Sequence, residues 1–355
     1  MEIRISKTTQ PKVKPPEAEL GFGKYFTDHL FACDYVEGRG WGDARIEPYA
    51  PMQLDPAAGV LHYGQAMFEG SKAFRGVDGR VRLFRPEAHA RRMIAGAPRL
   101  CMPTPPEALM VEAVRALVKV ELDWVPRSEG TSLYLRPTLV ATEGFLGVRP
   151  SREYRYFVIA SPAGNYFGGK GLKSVRIWVE TQDVRAPRGG LGSTKAGANY
   201  AASLKSAQDA KKRGFDQVLW LDGKDHEYVE EVGTMNVCFL LGSTLVTPPL
   251  SDSILAGVTR DSVLTLARDQ GLTVEERPIS LKELRGAQQS GELKEIFGTG
   301  TAAVISPVGE LAFAGESLVI NGGKPGPVAE QLYTAVCDIQ RGLKPDPYGW
   351  MQLVD

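Results

Sequence analysis

The pattern of apolar and polar positions breaks the chain into short strand-like runs and a few amphipathic helices. Leu30-Phe31-Ala32-Cys33 reads as a strand leading to a turn at Gly38-Arg39-Gly40. Residues 51–61 read as loop and short strand, and 65–74 with 81–84 as a hairpin around Gly76-Val77-Asp78-Gly79. Pro86 suits the first turn of a helix running through Met93 towards Leu100. After Pro105-Pro106, the residues Leu109, Ala113, Ala116, Leu117 and Val120 share one face of a second helix. Strands are expected at 131–140 and 154–160. The run Gly-Asn-Tyr-Phe-Gly-Gly-Lys-Gly-Leu-Lys at 164–173 is the best linker candidate.

Beyond it the pattern predicts a strand at 175–180 and a helix at 199–212 that stops at Gly214. Strands follow at 217–221, 228–232 and 237–241, then a helix at 260–269 and further strands at 273–276 and within 296–307. Strands and helices mix without a strict βαβ rhythm, so a doubly wound parallel sheet is not indicated. The expectation is a mixed α/β chain, α+β in character, of two domains. These are a small domain with an N-terminal arm at 1–163, a linker at 164–174 and a large domain at 175–355.

A chain of 355 residues is long enough for two cores. Lys plus Arg and Asp plus Glu number 42 each, with no basic run, so nucleic acid is not an expected partner. Cys33, Cys101, Cys238 and Cys337 show no metal or redox spacing, which suits a reducing cytoplasm. The four histidines are equally scattered and read as structural. No apolar run approaches a membrane span, and 1–19 is a polar arm with three prolines.

Two stretches carry chemistry. In Gly189-Gly190-Leu191-Gly192-Ser193-Thr194-Lys195-Ala196-Gly197-Ala198-Asn199-Tyr200 a lysine sits among small residues before a helix. Desolvation there would make its amine a usable nucleophile or Schiff-base partner. A solvated lysine in a flexible glycine loop fits that stretch alone equally well. The second stretch, Glu230-Glu231-Val232-Gly233-Thr234-Met235-Asn236, puts an acid pair on a strand.

Taken together with Lys195 and Tyr200, Glu231-Val232-Gly233-Thr234-Met235-Asn236 resembles the branched-chain aminotransferases, fold-type IV enzymes that use pyridoxal 5'-phosphate (PLP). The resemblance runs from about Phe22 to Gly349-Trp350-Met351 and implies two α/β domains with the cofactor at the domain interface, in a homodimer. It makes Lys195 the Schiff-base lysine, Tyr200 the partner of the phenolic oxygen and Glu231 the carboxylate on the ring nitrogen. Ile254-Leu255-Ala256-Gly257-Val258-Thr259-Arg260-Asp261, at an expected helix start, would favour a phosphate dianion. By the same match Leu255 packs under the ring, while Gly257, Val258, Thr259, Thr234 and Thr301 complete the cofactor site. Thr301 and Ala302 also lie near the substrate carboxylate.

Spacing alone makes the arginines of 82–92 solvent-facing, whereas the resemblance singles out Arg92 as a phosphate ligand. It also makes Phe22, Tyr63, Phe68, Tyr134 and Tyr166 the substrate pocket; Arg136, on the same strand face as Tyr134, is the candidate cation for glutamate's γ-carboxylate. Some eukaryotic members carry a redox-active cysteine pair after the Gly-Thr turn; this chain has Ala303 and Ser306 there. The implied reaction moves the amino group of L-leucine, L-isoleucine or L-valine to 2-oxoglutarate. The partners are therefore small amino acids and 2-oxo acids, with no membrane and no metal. A D-amino-acid aminotransferase or aminodeoxychorismate lyase, and a non-catalytic PLP carrier, are the rival readings.

Overall fold

The computed structural model describes residues 1–164, 171–313 and 315–354. Tyr166 and most of the candidate linker therefore lie outside the described residues. The chain divides into two compact units. The first is Met1–Gly168 with Thr194–Ala198 and Asp338–Asp355; the second is Gly169–Ser193 with Asn199–Cys337. The continuous division expected from the sequence assigns 194–198 and 338–355 to the second half.

The first unit carries β1 (Arg4–Ile5), β2 (His29–Val36), β3 (Gly40–Pro48), β4 (Ala66–Phe68), β5 (Ser71–Arg75), β6 (Val81–Phe84), β7 (Ser132–Ala141) and β8 (Glu153–Ala163). The second carries β9 (Val175–Val179), β10 (Gln217–Leu221), β11 (Val229–Val232), β12 (Asn236–Leu241), β13 (Thr244–Thr247), β14 (Thr273–Glu276), β15 (Leu293–Gly300), β16 (Val304–Phe313) and β17 (Glu316–Val319). A last strand, β18 (Met351–Leu353), returns to the first unit. Among the described residues these make two nine-stranded sheets. The first runs β1-β3-β2-β8-β7-β5-β6-β18, with β4 also on β7; the second runs β11-β10-β9-β16-β15-β12-β13-β14, with β17 on β16. Pairing is antiparallel except at β1–β3, β9–β10, β9–β16 and β13–β14.

In the first unit α1 (Gly59–Tyr63) precedes α2 (Pro86–Gly96) and α3 (Glu107–Val120). The apolar faces of α2 and α3 join the sheet in one core. Met93, Met110, Ala113 and Leu117 are buried with Phe31, Leu133, Leu135 and Tyr156. The second unit carries α4 (Gly197–Ala202, whose first residues group with the first unit), α5 (Leu204–Lys212), α6 (Val258–Asp269), α7 (Leu281–Gln289) and the start of α8 (Pro327–Gln340). Its main core gathers Val232, Val237, Phe239, Ile296 and Leu284. Among the described residues no helix is long and apolar enough to cross a membrane.

Three local departures from the sequence pattern have physical causes. Residues 59–63 form a helical turn in place of a short strand, closed by Gly64 in the left-handed region at φ 61°. The run 65–74 is two strands. β4 pairs β7 at Thr138 to Val140 and β5 pairs it at Leu133 to Leu135, leaving Glu69-Gly70 opposite Arg136-Pro137. Pro137 has no N–H to extend the ladder, and its carbonyl accepts Glu69 N at 2.7 Å. The helix expected at 199–212 breaks at Ser203, whose hydroxyl donates back to Tyr200 O at 2.8 Å.

Candidate active site

In the first unit the site is built around β4 and the two residues after it. Phe68 N donates to Lys195 O at 3.1 Å, and Met67 bridges to Ala196, so the lysine segment lies against this strand. The Lys195 ammonium stands 4.8 Å from the centre of the Phe68 ring, and the Arg136 guanidinium 4.5 Å from the same centre. Both distances are within cation–π range. Arg136 also donates to the Tyr134 hydroxyl at 3.0 Å, while its buried Nε–H has no hydrogen-bond partner. The face shared by Arg136 and Tyr134 is thus as the strand alternation requires. Phe22 meets Tyr134 edge-on at 4.8 Å and is half exposed. Tyr63, on α1, donates its hydroxyl to Leu146 O.

Glu69 turns the other way. It is 1% exposed and takes Arg92 in a two-point fork, Nε to Oε1 and Nη2 to Oε2, both 2.7 Å. His89 adds a contact from Nδ1 to Oε2 at 3.0 Å. Burial opposes the Glu69 charge, but Arg92 and His89 outweigh it and hold the carboxyl well below its usual range. For His89 the balance is reversed. Burial disfavours the imidazolium more than Glu69 favours it, and Arg92 and Lys195 add repulsion, so its pKa is lowered. The expectation of solvent-facing arginines therefore fails at Arg92, 12% exposed, and holds at Arg91, 66% exposed. Spacing alone made Arg92 one of several similar arginines; in the structure its fork on Glu69 sets it apart from Arg91.

In the second unit both acids of the Glu230-Glu231 pair are buried. Glu231 faces Trp220 across the β10–β11 ladder. Its Oε1 accepts Asn236 Nδ2 at 3.2 Å and Leu255 N at 2.9 Å, and Arg185 Nε lies 3.1 Å from Oε2. Asn236 Nδ2 also donates to Leu255 O at 2.9 Å, which ties Leu255 to the acid strand. Two residues on, Gly257 caps α6, whose own ladder begins with Asp261 N donating to Gly257 O. The first amides of a helix have no partner within it and attract anions. Val258 and Thr259 form that first turn. Gly257 has a steric duty: a Cβ there would lie 2.0 Å from Asn236 Oδ1.

Thr301 and Ala302, half-buried, form the turn between β15 and β16. It ends at Val304 with φ 63°, a left-handed conformation that strains a β-branched residue by roughly 1–3 kcal/mol. Thr234 is exposed in the turn between β11 and β12, and Tyr200 sits on α4, half-buried. The sequence reading gave no site role to Glu69, His89, Arg185 or Ser253, and included Asn236 only as the end of the Glu231 motif. Of these, Glu69 had the best signal, an acid directly after the apolar triplet Ala66-Met67-Phe68 in an expected strand. Among the described residues no group of three or more acidic, histidine or cysteine side chains could hold a metal ion.

A family model for the class IV aminotransferases matches residues 66–311, and the chain belongs to that family. Branched-chain-amino-acid transaminase 1 of Bacillus subtilis is 50% identical over 348 residues, 98% of each chain. The branched-chain amino acid aminotransferase of Escherichia coli superposes with a TM-score of 0.77 at 26% identity, covering 92% of this chain and 99% of its own. The branched-chain amino acid aminotransferase of Thermobaculum terrenum, in its PLP-bound holo form, gives a TM-score of 0.76 at 25% identity, over 92% and 98%.

Proposed function

We propose that this protein is a PLP-dependent transaminase that moves the amino group of L-leucine, L-isoleucine or L-valine to 2-oxoglutarate, giving branched 2-oxo acids and L-glutamate. We also infer that it works as a cytoplasmic homodimer. One observation carries the reading: a single aromatic ring, Phe68, bears both an amine (Lys195) and a carboxylate-binding cation (Arg136).

The side chains fit a flat phosphorylated cofactor. A lysine lies against a ring, a buried acid is held in place by two N–H donors, and a helix begins with amides suited to a dianion. Thr299 Oγ1, buried without a partner and paired across the ladder with Asn236, adds a polar group in want of a ligand. Bound PLP supplies the electron sink for the carbanion left when the substrate's α-proton departs. Lys195 would hold the cofactor covalently between turnovers, and its amine would carry the substrate's α-proton. In the second unit Glu231 would accept from a ring N–H, Tyr200 would donate to a phenolic oxygen, the first turn of α6 and Thr301 would hold a phosphate, and Leu255 would support a ring; in the first unit Arg92 would offer a phosphate-binding cation. Phe22, Phe68 and Tyr134 line the space for an aliphatic side chain, with Arg136 at its polar end.

A steady-state screen of L- and D-amino acids with 2-oxoglutarate tests this. Turnover of L-leucine, L-isoleucine and L-valine is expected; turnover of D-alanine instead would point to a D-amino-acid enzyme. Borohydride reduction with peptide mapping should mark Lys195, and Lys195→Ala should take up no reducible cofactor. A label on another lysine removes the central assignment.

A further inference from the structure

Arg185 lies in the segment between β9 and the lysine loop, with a side chain only 7% exposed. It makes three kinds of contact inside the second unit. Nε is 3.1 Å from Glu231 Oε2, although its N–H is not aimed to form a hydrogen bond. Nη2 donates to Gly192 O at 3.0 Å and to Ser253 O. These two carbonyls belong to the loop before Lys195 and the loop before α6. The loops pass so closely that a Cβ on Gly192 would sit 2.3 Å from Ser253 Cα. One buried guanidinium thus serves the acid and both flanking loops.

We propose that Arg185 is a positioning residue that acts through Glu231, setting where the proton shared between Glu231 and the cofactor's ring nitrogen rests. The argument deepens the function given above and rests on Glu231 being the ring-nitrogen partner. A proton on the Glu231 carboxyl would sit beside the Arg185 cation; the same proton on the ring nitrogen is farther from it. Arg185 therefore favours the carboxylate–pyridinium arrangement over the neutral pair, as an opposite charge does for any carboxylate. Asn236 Nδ2 and Leu255 N are neutral donors, and Arg185 adds a positive charge beside a 4% exposed carboxylate whose burial favours taking up a proton.

The neighbouring acid shows the same tendency. Glu230, on the other face of the strand, is bonded by Ser253 Oγ and has its pKa raised by burial, with Asp222 adding to the shift and Arg185 and Arg188 opposing it. The ion-pair distance to Glu231 makes it the acid Arg185 serves most directly. The carbonyl contacts are a separate, mechanical duty, and the two can be separated by experiment.

The full-length holoprotein, loaded with PLP labelled with nitrogen-15 in the ring, reports the proton directly by NMR. Wild type should show a protonated ring nitrogen at neutral pH. Arg185→Gln should shift the signal towards the unprotonated form and slow the L-leucine half-reaction by roughly 10- to 100-fold, the range for removing the partner that orients a ligand. Arg185→Lys keeps a cation but cannot bridge two carbonyls. It should retain the protonated signal at neutral pH while melting earlier, with a pH midpoint for the nitrogen between wild type and Arg185→Gln. Should Arg185→Gln not fold, a lowered midpoint in Arg185→Lys supports the proposal, and an unchanged one overturns it. Glu231→Gln separates the two readings. If it moves the nitrogen signal and Arg185→Gln does not, Arg185 is scaffolding only. If neither moves it, the Glu231 assignment itself is wrong.

Discussion

Under the proposed function, Arg136 is the residue on which the acceptance of two unlike substrates would depend. Its guanidinium rests on Phe68 and Tyr134, and one buried N–H lacks a hydrogen-bond partner. A γ-carboxylate arriving there replaces an unmet donor with a charge pair. Arg136→Gln should weaken glutamate and 2-oxoglutarate by about 2–5 kcal/mol, the usual loss for one member of a buried charge pair. Leucine should change far less. Half-reaction kinetics with the two amino acids measure this, and equal losses would make Arg136 a scaffold residue. His89 gives a second expectation. The unfolded chain binds a proton near the ordinary histidine value of 6.5, which the folded protein refuses because burial lowers the His89 pKa. The unfolded state then holds more protons, so stability falls as pH drops below 6.5, by up to about 1.4 kcal/mol per pH unit, until the lowered folded value is reached. Glu69 adds a further loss below about 4.3, the ordinary glutamate value. His89→Gln, still able to donate to Glu69, should flatten the first limb in denaturant titrations taken across pH; an unchanged slope rejects it. At this scale Lys195 and Glu231 stood out as candidates because each sits in a run of distinctive composition. Glu69 and Arg185 did not, since their partners lie 23 residues away at Arg92 and 68 away at Ser253.

Among the elements, α6 and the strand turn beside it act together through Asn236. One amide of that residue bonds Glu231 and the Leu255 carbonyl, while its oxygen abuts the place where a Gly257 side chain would be. Gly257→Ala should push Asn236 off both contacts and cost on the order of 1–3 kcal/mol, as overpacking does. PLP affinity should drop with it. Chemical melts and absorbance titration of the apoprotein check the two effects; a variant with wild-type values for both would show that the turn yields freely. Helix periodicity located α3, which buries a wide apolar face, and Pro86 marked the start of α2. The α7 and α8 helices escaped the sequence reading, and for α8 the reason is visible. Its first turn is capped by the Glu295 carboxylate from β15, accepting Val328 N at 2.9 Å and Ala329 N at 2.8 Å. Such a cap has no local signature, unlike Ser280, which caps α7 within the same segment.

Across the molecule the thiols are sorted by burial. Cys33 and Cys238 are fully buried with pKa values pushed up to about 12 by desolvation, whereas Cys101 is exposed. A thiol reagent at neutral pH should therefore label Cys101 in the native protein and reach Cys33 and Cys238 only on unfolding. Early labelling of either buried thiol would reveal opening of its core. The mixed α/β character was legible from strand-like runs and helix patterns without a strict βαβ rhythm. Less so was the route of the chain, because β18 contributes to the first sheet from the far end of the sequence. It pairs with β6 at Met351 to Phe84, and Arg85 N donates to Trp350 O at 2.7 Å. That pairing sets an order of events during synthesis on the ribosome. All nine strands of the second sheet have been made by Val319, while the first sheet still lacks its outermost strand. Until translation passes Leu353, β6 presents an open edge, the kind of surface that recruits other chains. The half of the protein made first is thus the half finished last.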